Sequence, residues 1–423
     1  MNGSKLFALW PIFARLTASI VLCAFAIGLD PADSYSAPTG GTAHAPILIE
    51  SDADFAACNC VVGGNGTQAS PYIIGPWAIN KNPGAAVTID GTSLTKSFIL
   101  LNLTIAGNGG NTSQGIVLKN INPAGTQSIV AQVEGKQTSI TSAEVGITVD
   151  SSSYVTLDGG GANPVGPGIG NSGAGTINKQ INGSIDIENS SHVLVTGWQL
   201  SASGLSIQPD WITLDPTPDT WGVGGVRFFG VTNSTIDHNA ANNCTDVSYS
   251  LFDSSNNTVS NNAANYPFTM NFIVADGSSY NKVIGNVAST GDFIGYLVAD
   301  PLPGEWTLGL FGASHDNQFI GNISSADGPT GNEIHAGVAP AFLGGIVVLN
   351  GTYNNLLSKN HAGSFVWAQA VPDNASPIGV VNYPPALNCN VSASEGGGGV
   401  ANHNGNSWTG NTAKLIGPCV PNN

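Results

Sequence analysis

Charge is scarce in this chain. Only 9% of its 423 residues are Asp, Glu, Lys or Arg, against about 25% in an average globular protein. Arginine is almost missing: Arg15 and Arg227 are the two present. Nucleic-acid binding needs a basic stripe that neutralises phosphates. A net charge of −16 with no such stripe excludes it. Methionine is equally rare. Apart from Met1 there is only Met270, which excludes a Met-rich copper site. After the first thirty residues no apolar run is long enough for a membrane-spanning helix. No Gly-rich phosphate loop leads from a strand into a helix, and no Ser nucleophile elbow appears.

What remains is 41% hydrophobic and rich in glycine, with 55 residues. Disorder needs low hydrophobicity and high net charge together, so a packed core is expected. Abundant Gly, Asn, Ser and Thr suit many short strands joined by tight turns. At the start, Lys5 and Arg15 accompany the apolar run "TASIVLCAFAIGL" (17–29). That run has the length of a secretory h-region and is too short to span a bilayer. Residues 1–36 therefore read as a signal peptide, and the remainder as a soluble, secreted or periplasmic protein. Export permits disulfides. The expected pair is Cys389–Cys419, with buried free thiols as the alternative. "CNC" (58–60) could hold a metal.

An internal repeat organises the rest. "VTNSTIDHNAAN" (231–242), "SSNNTVSNNAAN" (254–265), "SSYNKVIGNVAS" (278–289), "SHDNQFIGNISS" (314–325), "TYNNLLSKNHAG" (352–363) and "HNGNSWTGNTAK" (403–414) align on Asn239, Asn262, Asn286, Asn322, Asn360 and Asn411. Three positions earlier stand Ile236, Val259, Val283, Phe319, Leu357 and Trp408, all apolar. Five positions earlier stand Ser234, Asn257, Asn281, Asn317, Asn355 and Asn406. Each unit is a short strand with one inward side chain between two polar corners. A unit of 23 to 24 residues cannot bury its own apolar face, so it stacks on copies of itself. With no helical period, the expected fold is all-β, a single right-handed parallel β-helix with loop insertions. Asn at the corners would form hydrogen-bonded ladders and take the left-handed backbone that a sharp corner needs. The sequons at Asn233, Asn256 and Asn322 read as such corners. Residues 95–108, 151–161 and 189–201 read as divergent coils. The β-helix is expected over 37–423, with 37–62 as an N-terminal cap and 389–423 closing the other end.

"GGNGTQASPYIIGPWAI" (63–79), followed by Asn-cornered coils, resembles the opening of NosD-like right-handed parallel β-helix proteins, within the pectin-lyase-like superfamily. The resemblance implies a β-helix. It leaves function open among lyases, hydrolases, epimerases, adhesins and proteins labelled copper-binding.

Spacing locates the insertions. Trp198 occupies the corner position 41 residues before Asn239, and later spacings grow to 36, 38 and 51. Beyond a coil of 23, the excess is about 18, 13, 15 and 28 residues. The bare coils from Asn239 to Asn286 would floor a trough about 14 Å wide, three strand spacings. The insertions carry Trp211, Asp215, Asp219, Trp221, Glu305, Trp306, Glu333, His335, Trp367 and Asp373. Indole faces pack on sugar C–H groups and carboxylates bond hydroxyls. Asp215, Asp219, Glu305, Glu333 and His335 are the catalytic candidates. Trp211, Trp221, Arg227, Trp306 and Trp367 are the substrate-binding candidates. The plain alternative is that each Trp packs its own loop and the acids keep the chain soluble. Arg227 would either pair with Asp215 or Asp219, or hold a uronate carboxylate.

"TIDH" (235–238) resembles a calcium-binding motif of pectate lyases. That would make Asp237 a Ca2+ ligand together with Asp246 and Asp253. No downstream Arg or Lys matches the lyase's base, the next basic residue being Lys282, and the paired-Asp pattern of polygalacturonases is missing. The expected partner is a polysaccharide, bound and in one version hydrolysed. The alternatives are a non-catalytic adhesion or structural protein, and a periplasmic copper-handling protein. Oligomeric state is not legible.

Overall fold

The computed structural model describes residues 41–80, 84–107, 113–161, 176–178, 183–201, 224–244, 247–265, 270–289, 294–298, 313–325, 344–348, 352–362 and 406–413. Among these residues, three long sheets run side by side. Sheet I has twelve strands, from Val61–Gly63 to Ser407–Thr409; sheet II has twelve, from Thr42–Ala43 to Thr412–Ala413. Sheet III has ten, from Ile47–Ile49 to Gly344–Val348. Each turn of chain adds one strand to each sheet. Thr235–Asp237 joins sheet I, Ala240–Asn242 sheet II and Val247–Phe252 sheet III, and the next coil repeats the order. Apart from the pairing of Val61–Gly63 with Tyr72–Ile74, the strand pairs are parallel. The fold is a right-handed parallel β-helix.

Strand periodicity puts alternate side chains inside. Ile236, Val259, Val283, Phe319 and Leu357 are each at most 1% exposed, and they stack in register along sheet I. Sheet III contributes rings. Tyr249, Phe272 and Tyr296 stack face to face inside the helix at 4.9 and 4.8 Å. The buried phenols turn to backbone oxygens, Tyr249 to that of Ala263 at 3.2 Å and Tyr296 to that of Asn286 at 2.8 Å. A buried hydroxyl without a partner would cost about 1–3 kcal/mol.

Two asparagine ladders hold the corners of sheet I. At one, the backbone N–H and side-chain amide of Asn239 both donate to Oδ1 of Asn262, at 2.9 and 3.1 Å. Asn262 donates to Asn286 in the same way, Asn286 to Asn322, Asn322 to Asn360, and Asn360 to Asn411. Each amide also donates back to a carbonyl of the preceding coil, Asn262 to that of Ile236 at 3.0 Å. The second ladder runs through Asn257, Asn281, Asn317, Asn355 and Asn406. Trp198 starts the first ladder. Its backbone N–H donates to Asn239, and its indole N–H reaches the Leu157 oxygen at 3.0 Å, where an Asn amide would otherwise donate. Glycines make room below it: a Cβ on Gly135 would lie 2.7 Å from the indole.

The ladder asparagines do not take the left-handed backbone. The residue before each does: His238, Asn261, Gly285, Gly321, Lys359 and Gly410 at one corner, with φ of 54 to 64°, and Asn233, Asn256, Tyr280, Asp316 and Asn354 at the other. The expectation that one Asn would do both jobs is corrected. A side chain donating along the stack needs its backbone in line with the coils, so the sharp turn moves one residue upstream. The sequons divide accordingly: Asn322 is a buried rung, whereas Asn233 and Asn256 are exposed turn residues.

At the N-terminal end, Thr42–Ala43 and Ile47–Ile49 already pair in parallel with the next coil. A short helix, α1 (Asp54–Ala57), then lays Phe55 across the open end, 4.9 Å from Tyr72 and 6.2 Å from Phe98. Asp54 accepts from the backbone N–H groups of Glu50 and Ser51, fixing the entry to this turn. The signal segment 1–36, residues 389–405 and 414–423 of the closing segment and the expected pair Cys389–Cys419 lie outside the described residues, while 406–413 of that segment add a last parallel strand to sheets I and II.

Candidate functional site

Sheet III carries the widest strands, and the insertions border it. Segment 202–223 leads from Gln199–Ser201 of sheet II into Val226–Phe229 of sheet III. Segment 326–343 leads into Gly344–Val348, and 299–312 leaves the end of Ile294–Val298. Three insertions thus connect directly to strands of sheet III, while 363–405 follows His361–Ala362 of sheet II.

Outward-facing residues of a sheet are normally wet. Here the outward row Asp186, Arg227, Ser250, Ile273 and Leu297 is at most 8% exposed, and Ser184, Ser248 and Asn271 beside it are fully buried. Burying charge is costly unless it is paired. Arg227 lies directly opposite Asp186 of the previous coil. Its Nε and Nη2 donate to the two Asp186 carboxylate oxygens, both at 2.7 Å. Nη2 also donates to Glu188, and the guanidinium lies 5.9 Å from the Phe229 ring centre. Next to Glu188 in register stands Asp150, then Lys119, then Asp90, with Lys119 and Asp90 ion-paired at 3.2 Å. The outward charge is thus gathered on the coils before the bare ones. The floor coils themselves present Ser248, Ser250, Asn271, Ile273 and Ala275, and among the described residues the Ser248 hydroxyl has no hydrogen-bond partner.

Glu188 is the group best placed for proton transfer. Burial, followed by the Asp186 carboxylate, pushes its pKa up to about 7, while Arg227 pulls the other way. A carboxyl that binds its proton more tightly when folded adds stability below its unfolded pKa, and that stability is lost as pH rises through the folded value. The melting temperature should therefore fall between about pH 4.5 and pH 7. Glu188→Gln should flatten that slope; an unchanged slope in thermal melts would remove Glu188 as its source.

Several sequence expectations meet the structure here. Among the described residues Arg227 forms ion pairs with Asp186 and Glu188. Asp215 and Asp219, the partners expected for it, lie outside the described residues, as do Trp211, Trp221, Glu305, Trp306, Glu333, His335, Trp367 and Asp246. At 3% exposure and held by two carboxylates, Arg227 is not a solvent-facing anchor for a uronate. Asp237 and Asp253 do not share a site: one ends a sheet I strand, the other follows a sheet III strand. Burial would raise the Asp237 carboxyl, but hydrogen bonds from Ser260, His238 and Asn261 hold it below its usual range. Its oxygens are spent on the stack. Among the described residues no group of three acidic, His or Cys side chains could hold a metal ion. Cys58 and Cys60 are bonded to each other, so neither is a thiolate available to copper.

The Asp186, Glu188 and Asp150 carboxylates were missed by sequence reasoning, yet the signal was there. Asp186 precedes Arg227 by 41 residues, the same interval that separates the corners Trp198 and Asn239.

No family model and no curated protein matches this chain. Solved structures similar to it include the Dettilon tailspike protein, at 11% identity and TM-score 0.41, covering 68% of this chain and 50% of that one. A DFA-IIIase from Arthrobacter chlorophenolicus A6 is similar at 14% identity and TM-score 0.41, covering 70% and 62%. An alginate lyase from Paenibacillus is similar at 11% identity and TM-score 0.34, covering 82% and 92%. This chain thus spans between half and two thirds of the length of the first two.

Proposed function

We propose that the chain binds an extracellular polysaccharide along the outer face of sheet III and hydrolyses it. One observation carries this reading: at the edge of the buried outward row, Arg227 holds Asp186 and Glu188 together, with Glu188 and its in-register neighbour Asp150 still partly exposed to a substrate. Glycoside hydrolysis needs one carboxylic acid that keeps its proton near neutral pH and a second carboxylate. Glu188 supplies the first. Asp150, in register on the adjoining strand, stands about one strand spacing away, ~4.8 Å. The insertion residues Asp215, Asp219, Glu305, Glu333 and His335 remain proposed partners in the same trough, with Trp211, Trp221, Trp306 and Trp367 as sugar platforms. Elimination is disfavoured because a guanidinium does not give up its proton and Arg227 is bound to two carboxylates.

The same reading makes the chain an exported NosD-like β-helix, on its opening stretch 63–79, whose strand Tyr72–Ile74 begins the parallel pairing of sheet I. Among the described residues no helix is long and apolar enough to cross a membrane. The second reading is a non-catalytic adhesion protein, which would bind the same partner without cleaving it.

A screen of acidic and neutral polysaccharides separates the readings. Hydrolysis releases reducing ends without ultraviolet-absorbing unsaturated products, and Glu188→Gln should lower that release about a hundredfold or more. Unsaturated products would replace hydrolysis by elimination. Binding without either product would leave the adhesion reading.

A further inference from the structure

The corner between sheets III and I carries a second strip of chemistry that the outer-face site does not use. Residues Ser153, Ser191, Thr232, Ser255, Ser279, His315 and Tyr353 are bridged one above another along it. The residue after each is a left-handed turn residue: Tyr154, His192, Asn233, Asn256, Tyr280, Asp316 and Asn354. A left-handed turn costs a bulky residue about 1–2 kcal/mol, and Asn or Gly would fit there more easily. Tyr at 154 and 280 therefore stands where folding alone does not favour it.

The rings are arranged in a definite way. His315 and Tyr353 stack at 4.6 Å and 9°, one coil above the other, so their ring normals point along the helix axis and their faces cover each other. Tyr280 stands at 86° to His315, with centres 5.6 Å apart. Its plane therefore lies along the axis, and it is 55% exposed, among the most exposed large apolar residues described. Around it are the exposed amide of Asn256, the exposed Lys282, and His315, whose Nδ1 bonds Asp316 at 2.8 Å.

We infer that this edge, centred on Tyr280, is a binding subsite for a neutral polysaccharide chain lying along the helix axis. An exposed aromatic plane beside amide and imidazole hydrogen-bonding groups fits the C–H face and the hydroxyls of a sugar. Lys282 and Asp316 cancel, so the patch is close to neutral on a chain of net charge −16, which repels polyanions and leaves uncharged glycans unaffected. The inference stands apart from the outer-face reading, because it uses none of its residues.

Affinity electrophoresis of the full-length chain tests it, in gels containing hydroxyethylcellulose, galactomannan or sodium alginate. At least one neutral polymer should retard the protein. Tyr280→Ala should weaken that retardation about tenfold and Tyr280→Trp should keep it, with melting temperatures unchanged because the ring is exposed. Glu188→Gln should leave the retardation in place. Three results would overturn the inference: no retardation by either neutral polymer, retardation by alginate alone, or retardation that survives Tyr280→Ala. Retardation lost with Glu188→Gln but kept with Tyr280→Ala would also overturn it, and would support the outer-face site instead.

Discussion

Asn262→Asp should lower stability by about 4 kcal/mol, measured by denaturant or thermal unfolding at neutral pH. Asn262 is 1% exposed and sits in the middle of its ladder. Its Oδ1 accepts two N–H groups from Asn239, while its amide nitrogen donates to the Ile236 carbonyl and to Oδ1 of Asn286, both at 3.0 Å. The acid keeps the accepting side. On the donating side it sets an anionic oxygen against two oxygens in a site without water. Protonation relieves this, so the deficit should shrink in acid. Asn262→Ala should cost less than Asp at neutral pH, since it removes bonds without adding repulsion. If Asp and Ala variants melt alike at pH 7, the ladder amide is not donating as described.

Arg227→Met should cost about 3–5 kcal/mol at pH 8, the usual penalty for leaving a buried ion pair with one member. Met conserves much of the volume, so the loss reports charge. Asp186 and Glu188 would then face each other without a counter-ion. One proton shared between them removes most of that repulsion, and Glu188 already binds its proton tightly. The penalty should therefore be clearly smaller at pH 5 than at pH 8. Arg227→Lys should recover part of it, because an ammonium restores the charge but not the fork that meets both Asp186 oxygens. A penalty independent of pH would mean that Arg227 serves packing.

The contrast between those two sites explains what could be read in advance. Asn239, Asn262 and Asn286 recur at 23 and 24 residues, and any inward or corner position on an uninterrupted coil inherits that count. Tyr249, Phe272 and Tyr296 share those spacings, so the ring stack was legible in principle. Asp186 and Arg227 are also one coil apart, but an insertion stretches that coil to 41. Charge looked attached to the insertions because the neighbouring coil's carboxylates are distant in sequence. The left-handed turns were misassigned by one residue, since Asn suits both the rung and the turn, and composition does not separate them. The Cys58–Cys60 bond had no such periodic cue.

The first ladder also has a direction. Every rung from Asn239 to Asn360 gives its backbone N–H and one amide N–H to the Oδ1 of the rung ahead and accepts none from it. Trp198, at its foot, can donate but has no side-chain oxygen to offer the coil behind. A whole-coil duplication anywhere between Asn239 and Asn360 preserves every donor and acceptor, whereas one placed before Trp198 meets a residue that terminates the column. Growth by copying is thus permitted on one side of that indole only. The units "VTNSTIDHNAAN" and "SSNNTVSNNAAN" (231–242 and 254–265), which share the ending NAAN, lie on the side where a gene could lengthen the array without rebuilding its foundation.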